Sequence, residues 1–205
     1  MNKSLITLDG PSGVGKTTVG KRLAKDLNFD FFSSGSLYRA LAKFYQSTNK
    51  LLFQDFSIEA LAPFRCKIDD LVISESDLYT TYINEKSSEI AQLTEVRGVV
   101  FNILHSICNE SQRGFVIEGR DMGSVVFPNA KLKLYLDASE QVRSLRRGKQ
   151  SNNQESVDDI KKRDERDKNR VNSPLVVPEG ALIIQTDLLS IDEILELIKE
   201  KLELL

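Results

Sequence analysis

The 205-residue chain has a single histidine, His105, and only two cysteines, Cys66 and Cys108. One imidazole excludes His-rich metal sites and argues against a Ser-His-Asp apparatus. His105 falls in an apolar helical stretch and reads as structural. The cysteines are far apart and form no Cys-x-x-Cys pair. They read as two reduced, inert thiols of a cytoplasmic protein. Long apolar runs are missing as well. Only Leu5 to Leu8 precede Asp9, too few for a secretory signal, and no run approaches membrane-spanning length. An excess of one charge is also absent. The net charge of −2 gives no reason to expect nucleic acid or a membrane as partner. There is no internal repeat. With 40% hydrophobic and 28% charged residues, the composition fits one ordinary globular domain, expected to be a monomer.

What is present is concentrated near the start. Leu5-Ile6-Thr7-Leu8 reads as a buried strand, and Gly10-Pro11-Ser12-Gly13-Val14-Gly15-Lys16-Thr17-Thr18 follows it into a helix. Gly-x-x-x-x-Gly-Lys-Thr between strand and helix is the pattern of a phosphate-binding loop. Its glycines let successive N–H groups point into one concavity, and the helix adds its positive end. Lys16 is expected to reach the β- and γ-phosphates of a nucleoside triphosphate from a solvent-filled loop. Thr17 is expected to ligate Mg²⁺.

The rest alternates. Helices are expected over about 16–27, then from the serines 33–36 through Phe44, then over 78–110 with a break near Thr94. Strands are expected at 29–32, 114–118, 132–136 and around 182–184, and Ser190 caps a last helix. Ser57 to Leu61 reads as a helical turn, and 66–68 with 71–73 as a small hairpin. This order predicts an α/β fold, a doubly wound parallel five-stranded sheet flanked by helices, with sites at the strands' carboxyl ends. Ser151-Asn152-Asn153-Gln154 reads as a mobile loop tip.

A phosphate-binding loop does not by itself separate kinases, GTPases and motor ATPases. No Asn-Lys-x-Asp run exists to read guanine. Arginines are the distinguishing feature. Arg39 and Arg97 lie on expected helices, Arg120 follows a strand, and Arg163, Arg166 and Arg170 share one helical face by spacing. From Arg143 to Arg170, ten basic residues face six acidic ones. Guanidinium forks suit two anionic substrates brought together for phosphoryl transfer. A solvated, salt-bridged helix is the competing reading of 163–170.

Several stretches, in colinear order along nearly the whole chain, resemble bacterial cytidylate kinases of the nucleoside monophosphate kinase group. They are Asp9 to Lys16, Ser34-Gly35-Ser36-Leu37-Tyr38-Arg39-Ala40-Leu41, and Glu118-Gly119-Arg120-Asp121-Met122-Gly123 through Pro128. Arg163 to Arg170, Ser173-Pro174-Leu175 and the ending from Ala181 through Ile191 complete the set. The resemblance implies transfer of the ATP γ-phosphoryl group to CMP or dCMP. It implies that Ser34, Arg39 and Arg120 contact the acceptor, chiefly its phosphate, and that Ser88, Arg97, Asp121 and Arg170 read cytosine. Arg163 and Asp167 resemble contacts to acceptor phosphate and ribose, and Arg166 a lid arginine facing the transferred group. Lys16, Arg120 and Arg166 are thus the expected catalytic groups. The implied layout is a core (about 1–32, 111–142, 176–205), an acceptor-binding part (33–110) and a lid (143–175). Three positions depart from the family: Ser33 stands in place of an acid, Tyr79 in place of arginine, and Gln185 in place of aspartate. The segments 63–78 and 147–158 are also shorter than usual. A kinase for UMP or for a non-nucleotide alcohol stays open as an alternative, as does a nucleotide-binding regulatory module with vestigial catalysis.

Overall fold

The computed structural model describes residues 4–51, 53–150 and 157–204. The chain divides into two compact units, Met1–Ser33 with Ser106–Leu205, and Ser34–His105.

The first unit is built on five strands: β1 (Leu5–Asp9), β2 (Asp30–Ser33), β6 (Phe115–Glu118), β7 (Leu132–Asp137) and β8 (Leu182–Gln185). Their order is β2-β6-β1-β7-β8, and every pairing is parallel. This is the expected doubly wound sheet. β1 is central, and its Ile6, Thr7, Leu8 and Asp9 are all fully buried, as in a strand covered on both faces. Ile6, Leu8, Val116, Leu134, Leu136 and Ile184 form the core with Val19 and Leu23 of α1 (Lys16–Leu27) and Ile194, Leu195 and Ile198 of α7 (Ile191–Glu203). Truncating one of these to alanine costs about 2–5 kcal/mol. α7 starts on a capping box, with Ser190 Oγ accepting from the Glu193 N–H and Glu193 reaching back to the Ser190 N–H. The same unit holds α5 (Glu140–Gln150) and α6 (Val157–Asn169). The segment 151–154 lies outside the described residues, as does part of the expected lid.

The second unit consists of α2 (Ser34–Thr48), an antiparallel sheet β3-β4-β5 (Phe56–Leu61, Phe64–Ile68, Leu71–Ser74) and α3 (Thr81–Ile90). The first part of α4 (Thr94–Glu110) also belongs to it. α3 is capped by Thr80, whose hydroxyl accepts from the Ile83 N–H. The hairpin around Asp69-Asp70 is as expected. The helical turn at Ser57–Leu61 is not. Those residues lie in β3, with Ile58 opposite Cys66 and Leu61 opposite Phe64, because pairing with β4 overrides a weak local preference.

Both cysteines are free thiols, and burial pushes each up to about 12, which leaves them inert. His105 stacks on Phe101, ring centroids 4.3 Å apart. Among the described residues, no helix is long and apolar enough to cross a membrane.

Candidate active site

In the first unit, β1 ends on Asp9 and the chain turns through Gly10, Gly13 and Gly15, with φ of 143°, 81° and 97°. These angles favour glycine, and the space is as restrictive. A Cβ on Gly10 would lie 2.1 Å from the Leu136 carbonyl oxygen, and one on Gly13 would lie 2.6 Å from that of Arg143. α1 then begins at Gly15 with no side-chain cap, so its first N–H groups stay available to an anion. Pro11, Ser12 and Val14 are buried in the turn, while Thr17 and Thr18 are exposed at its helical end.

Lys16 departs from the expected solvent-filled loop. It is 8% exposed, and its Nζ donates to the Gly10 carbonyl at 2.7 Å and the Pro11 carbonyl at 2.6 Å. Burial, reinforced by Arg120, pulls its pKa well below the ordinary lysine value, against Glu118, Asp9 and Asp164. A buried ammonium tied only to carbonyls gains most from an arriving phosphate. Thr17 Oγ1 donates to Glu118 Oε1 at 2.7 Å, which leaves the hydroxyl lone pairs free to face outward.

Arg120 follows β6 directly. Its Nε donates to Asp167 Oδ2 of α6 at 2.9 Å. Burial would lower its pKa, but Asp167, Asp164 and Glu118 outweigh that and hold it above the ordinary arginine value. Burial likewise works to raise Asp167. Arg120, Arg163 and Arg170 prevail and keep its carboxyl below the usual range. Arg170 Nη2 lies 3.5 Å from Asp121 Oδ1, and its Nε donates to the Ser173 carbonyl. Arg163, Arg166 and Arg170 keep the expected i, i+3, i+7 relation, since the Arg170 N–H still donates to the Arg166 carbonyl at 3.1 Å. α6 ends at Asn169 with Arg170 as the next residue; Asp164, Asp167 and Arg170 are buried, and Arg163 and Arg166 are half-buried. The helix is salt-bridged, but inward, onto residues of the phosphate loop and of the β6 end.

Five residues with no assignment from sequence belong here. Asp164 Oδ1 accepts from the Ser12 N–H at 3.1 Å, and its other oxygen pairs with Arg143 of α5. Arg143 also donates to the Ser12 carbonyl at 3.2 Å. Arg146 donates to the Thr186 hydroxyl and carbonyl and to the Val14 carbonyl. Glu118 and Asp9 are fully buried acids. A carboxylate ending a buried strand was the signal available for both.

In the second unit, Ser34 opens α2 and is buried one turn before Arg39. The Arg39 Nε donates to Asn84 Oδ1 at 3.0 Å, and its guanidinium lies 5.3 Å from the Tyr79 ring centroid. Arg97 donates to the Ala91 carbonyl at 3.1 Å and lies over Tyr38 at 5.8 Å. Ser88 is buried, and its hydroxyl has no hydrogen-bond partner among the described residues.

The parallel sheet, the glycine turn at the carboxyl end of its central strand and the buried Lys16 define a P-loop fold with a site for phosphate groups. Comparison with known proteins narrows this. Among solved structures, a gluconokinase from Sinorhizobium meliloti superposes with TM-score 0.56 at 14% identity, covering 98% of this chain and 97% of its own. A shikimate kinase from Bacteroides thetaiotaomicron gives 0.50 at 17%, covering 98% and 99%. At such identities the likeness concerns the fold alone. The sequence comparisons go further. The cytidylate kinase family profile matches residues 6–204. A cytidylate kinase from Chlamydia felis is 39% identical, covering 94% of each chain, and one from Pasteurella multocida 37%, covering 95% of this chain and 92% of its own. The chain belongs to the cytidylate kinase family, and it is a phosphotransferase with nucleotide substrates, ATP among them.

Proposed function

We propose that this enzyme transfers the γ-phosphoryl group of ATP to the phosphate of CMP or dCMP, using the residues singled out above. The observation that carries the base assignment is the buried Asp121, beside Arg170 in the run from Gly119 to Pro128. Cytosine offers acceptors at O2 and N3 and a donor at N4, which guanidinium and carboxylate or hydroxyl groups satisfy. Asp121 takes the N4 amino group, and Arg170, Arg97 and Ser88 supply the remaining partners. The unpartnered Ser88 hydroxyl supports this, because a buried polar group needs a partner. Ser34, Arg39, Arg120, Arg163 and Asp167 hold the acceptor's phosphate and ribose. Gly10 to Thr18 hold the triphosphate of ATP, and Lys16 and Arg166 carry charge on the migrating group. Positioning and charge neutralisation carry the rate, with no general base needed.

The residues present also fit Mg²⁺. The Thr17 hydroxyl, oriented by Glu118, would hold it, and the second Glu118 oxygen is buried with no hydrogen-bond partner among the described residues. No group of three His, Cys, Asp or Glu is placed to hold a metal among the described residues, which suits an ion bound mainly by phosphate and water. When bound, Mg²⁺ neutralises charge on the phosphate oxygens. The enzyme is proposed to act as a cytoplasmic monomer.

The test is base choice. Uracil presents an acceptor where cytosine has N4 and a donor where it has N3, so two buried partners are left mismatched. At roughly 1–3 kcal/mol each, discrimination should reach about a hundredfold in kcat/KM. Asp121→Asn should narrow it, since an amide can donate to the uracil carbonyl. Equal use of UMP and CMP, or a ratio unmoved by Asp121→Asn, would overturn the assignment.

A further inference from the structure

We infer that Asp9 is a positioning residue that pins the Arg120–Asp121 segment beside the phosphate loop and so sets acceptor specificity; the inference rests on Asp121 reading the base. Two consecutive residues of β1 hold this segment at both ends. The Gly119 N–H donates to the Leu8 carbonyl at 2.9 Å. The Met122 N–H donates to Asp9 Oδ1 at 2.9 Å, and the Gly123 N–H to Asp9 Oδ2 at 2.7 Å. Arg120 and Asp121 are the two residues between the pins. The Asp121 carbonyl is fixed in turn by the N–H groups of Val125 and Val126.

The docking is tight from the other side too. A Cβ on Gly123 would lie 2.8 Å from Thr7 Oγ1 and 3.0 Å from Pro178 Cγ. Asp9 also directly precedes Gly10, whose carbonyl receives Lys16. One side chain therefore joins the ATP-binding turn to the acceptor-reading segment.

The two pins differ in kind. The Leu8 carbonyl is permanent, whereas the Asp9 carboxylate needs both oxygens as acceptors. A proton on one of them turns an acceptor into a donor facing an N–H. Asp9 is 0% exposed. Burial raises its pKa from 3.8 to about 6 despite the two N–H groups, with Asp121 adding to the rise and Lys16 opposing it. The titratable groups around it are Lys16 of α1, Asp121 of the pinned segment, Tyr135 opposite it on β7 and Glu118 at the end of β6.

The experiment measures kcat/KM for CMP and UMP from pH 5 to 8 on the full chain and three variants, Asp9→Asn, Asp121→Asn and Gly123→Ala. The nucleotide phosphate titrates near 6 in both substrates and cancels in their ratio. Asp9→Asn should narrow the CMP-over-UMP ratio by about tenfold at pH 8, as expected for one buried acceptor replaced by a donor. It should raise the KM for CMP more than that for ATP. The wild-type ratio should fall towards the variant's as pH drops through about 6, and the Asp9→Asn ratio should stay flat. Gly123→Ala, which displaces the segment and lengthens one of its bonds to Asp9 but leaves the carboxylate able to titrate, should narrow the ratio and keep a pH slope of the wild-type sign.

Stability separates positioning from simple structural support. A raised folded-state pKa means that the Asp9 contribution to stability is full below the ordinary carboxylate value and is lost as pH rises through about 6. Relative to Asp9→Asn, wild type should gain stability over the pH interval in which its selectivity falls. An Asp9→Asn ratio equal to wild type, beside a collapsed Asp121→Asn ratio, overturns this inference alone. A wild-type pH slope persisting in Asp9→Asn, or an unchanged ratio in Gly123→Ala, also overturns it. An unmoved Asp121→Asn ratio overturns the base assignment, and this inference with it.

Discussion

The two units hold their arginines in different ways. In the unit built on the parallel sheet, Arg120 is paired with Asp167, Arg143 with Asp164 and Arg170 with Asp121. In the unit of α2, α3 and the small sheet, Arg39 rests on the Asn84 amide oxygen and the Tyr79 ring, and Arg97 on a backbone carbonyl and the Tyr38 ring. An amide oxygen or a ring orients a guanidinium without cancelling its charge. A carboxylate orients it and cancels it. Where a carboxylate holds the guanidinium, an incoming phosphate would compete with it. The difference also separates stability from binding, because buried ion pairs are costly to break one partner at a time.

Four substitutions break or sharpen this contrast, beginning with the largest effect. Lys16→Ala should reduce kcat by at least about a thousandfold, since a preorganised charge acting on the migrating group is removed. Because Lys16 also ties two loop carbonyls, its thermal midpoint should shift, which a loosely solvated lysine would not produce. A variant with near-normal turnover would break the assignment.

Asp167→Ala should be a stability variant first. It strands the half-buried Arg120, at a cost of up to about 3–5 kcal/mol, which for a chain of this size lowers Tm by up to roughly 6–20 °C. Its sign with pH follows from the lowered carboxyl. The Asp167 contribution is present above the ordinary carboxylate value of about 3.9 and is lost as pH falls through the lower folded-state value. The gap between wild type and variant should therefore be full at neutral pH and close in acid. A gap that widens in acid would contradict the pairing.

Arg166→Gln should lower kcat by tens-fold while leaving the KM for the acceptor within about threefold, because the role proposed for this half-buried arginine, on the migrating group, is exerted mainly in the transition state. A weaker KM with unchanged kcat would make it a binding residue instead. Asn84→Ala should have the smallest effect. Losing one hydrogen bond that orients Arg39 is worth about 1 kcal/mol, or roughly fivefold in KM for CMP, with Tm nearly unmoved. A Tm loss as large as that of Asp167→Ala would erase the distinction between the two units.

The parts legible in the sequence were those where one local rule decides. α1 runs over Lys16–Leu27 as its spacing indicates, and the five strand segments pair in parallel, because continuous apolar runs between helices leave few alternatives. Ser190 as a cap was legible for the same reason. Tertiary contacts decided the rest. β3 exists because β4 lies beside it. Lys16 is buried with its ammonium folded onto the Gly10 and Pro11 carbonyls, a local contact that spacing alone does not indicate. Asp164 reads as a surface acid between arginines, yet its carboxylate receives a loop N–H from residue 12. Asp9 reads as the end of an apolar run, and nothing local indicates that it receives two N–H groups from residues more than a hundred positions away.

The most direct test is acceptor-dependent ADP release from ATP, measured with CMP, dCMP, UMP, AMP and no acceptor under one set of conditions. The predicted result is strong acceleration by CMP or dCMP, about a hundredfold weaker use of UMP, and almost no ATP consumption without an acceptor. ATP consumption unaffected by any monophosphate, or UMP used as well as CMP, would contradict it.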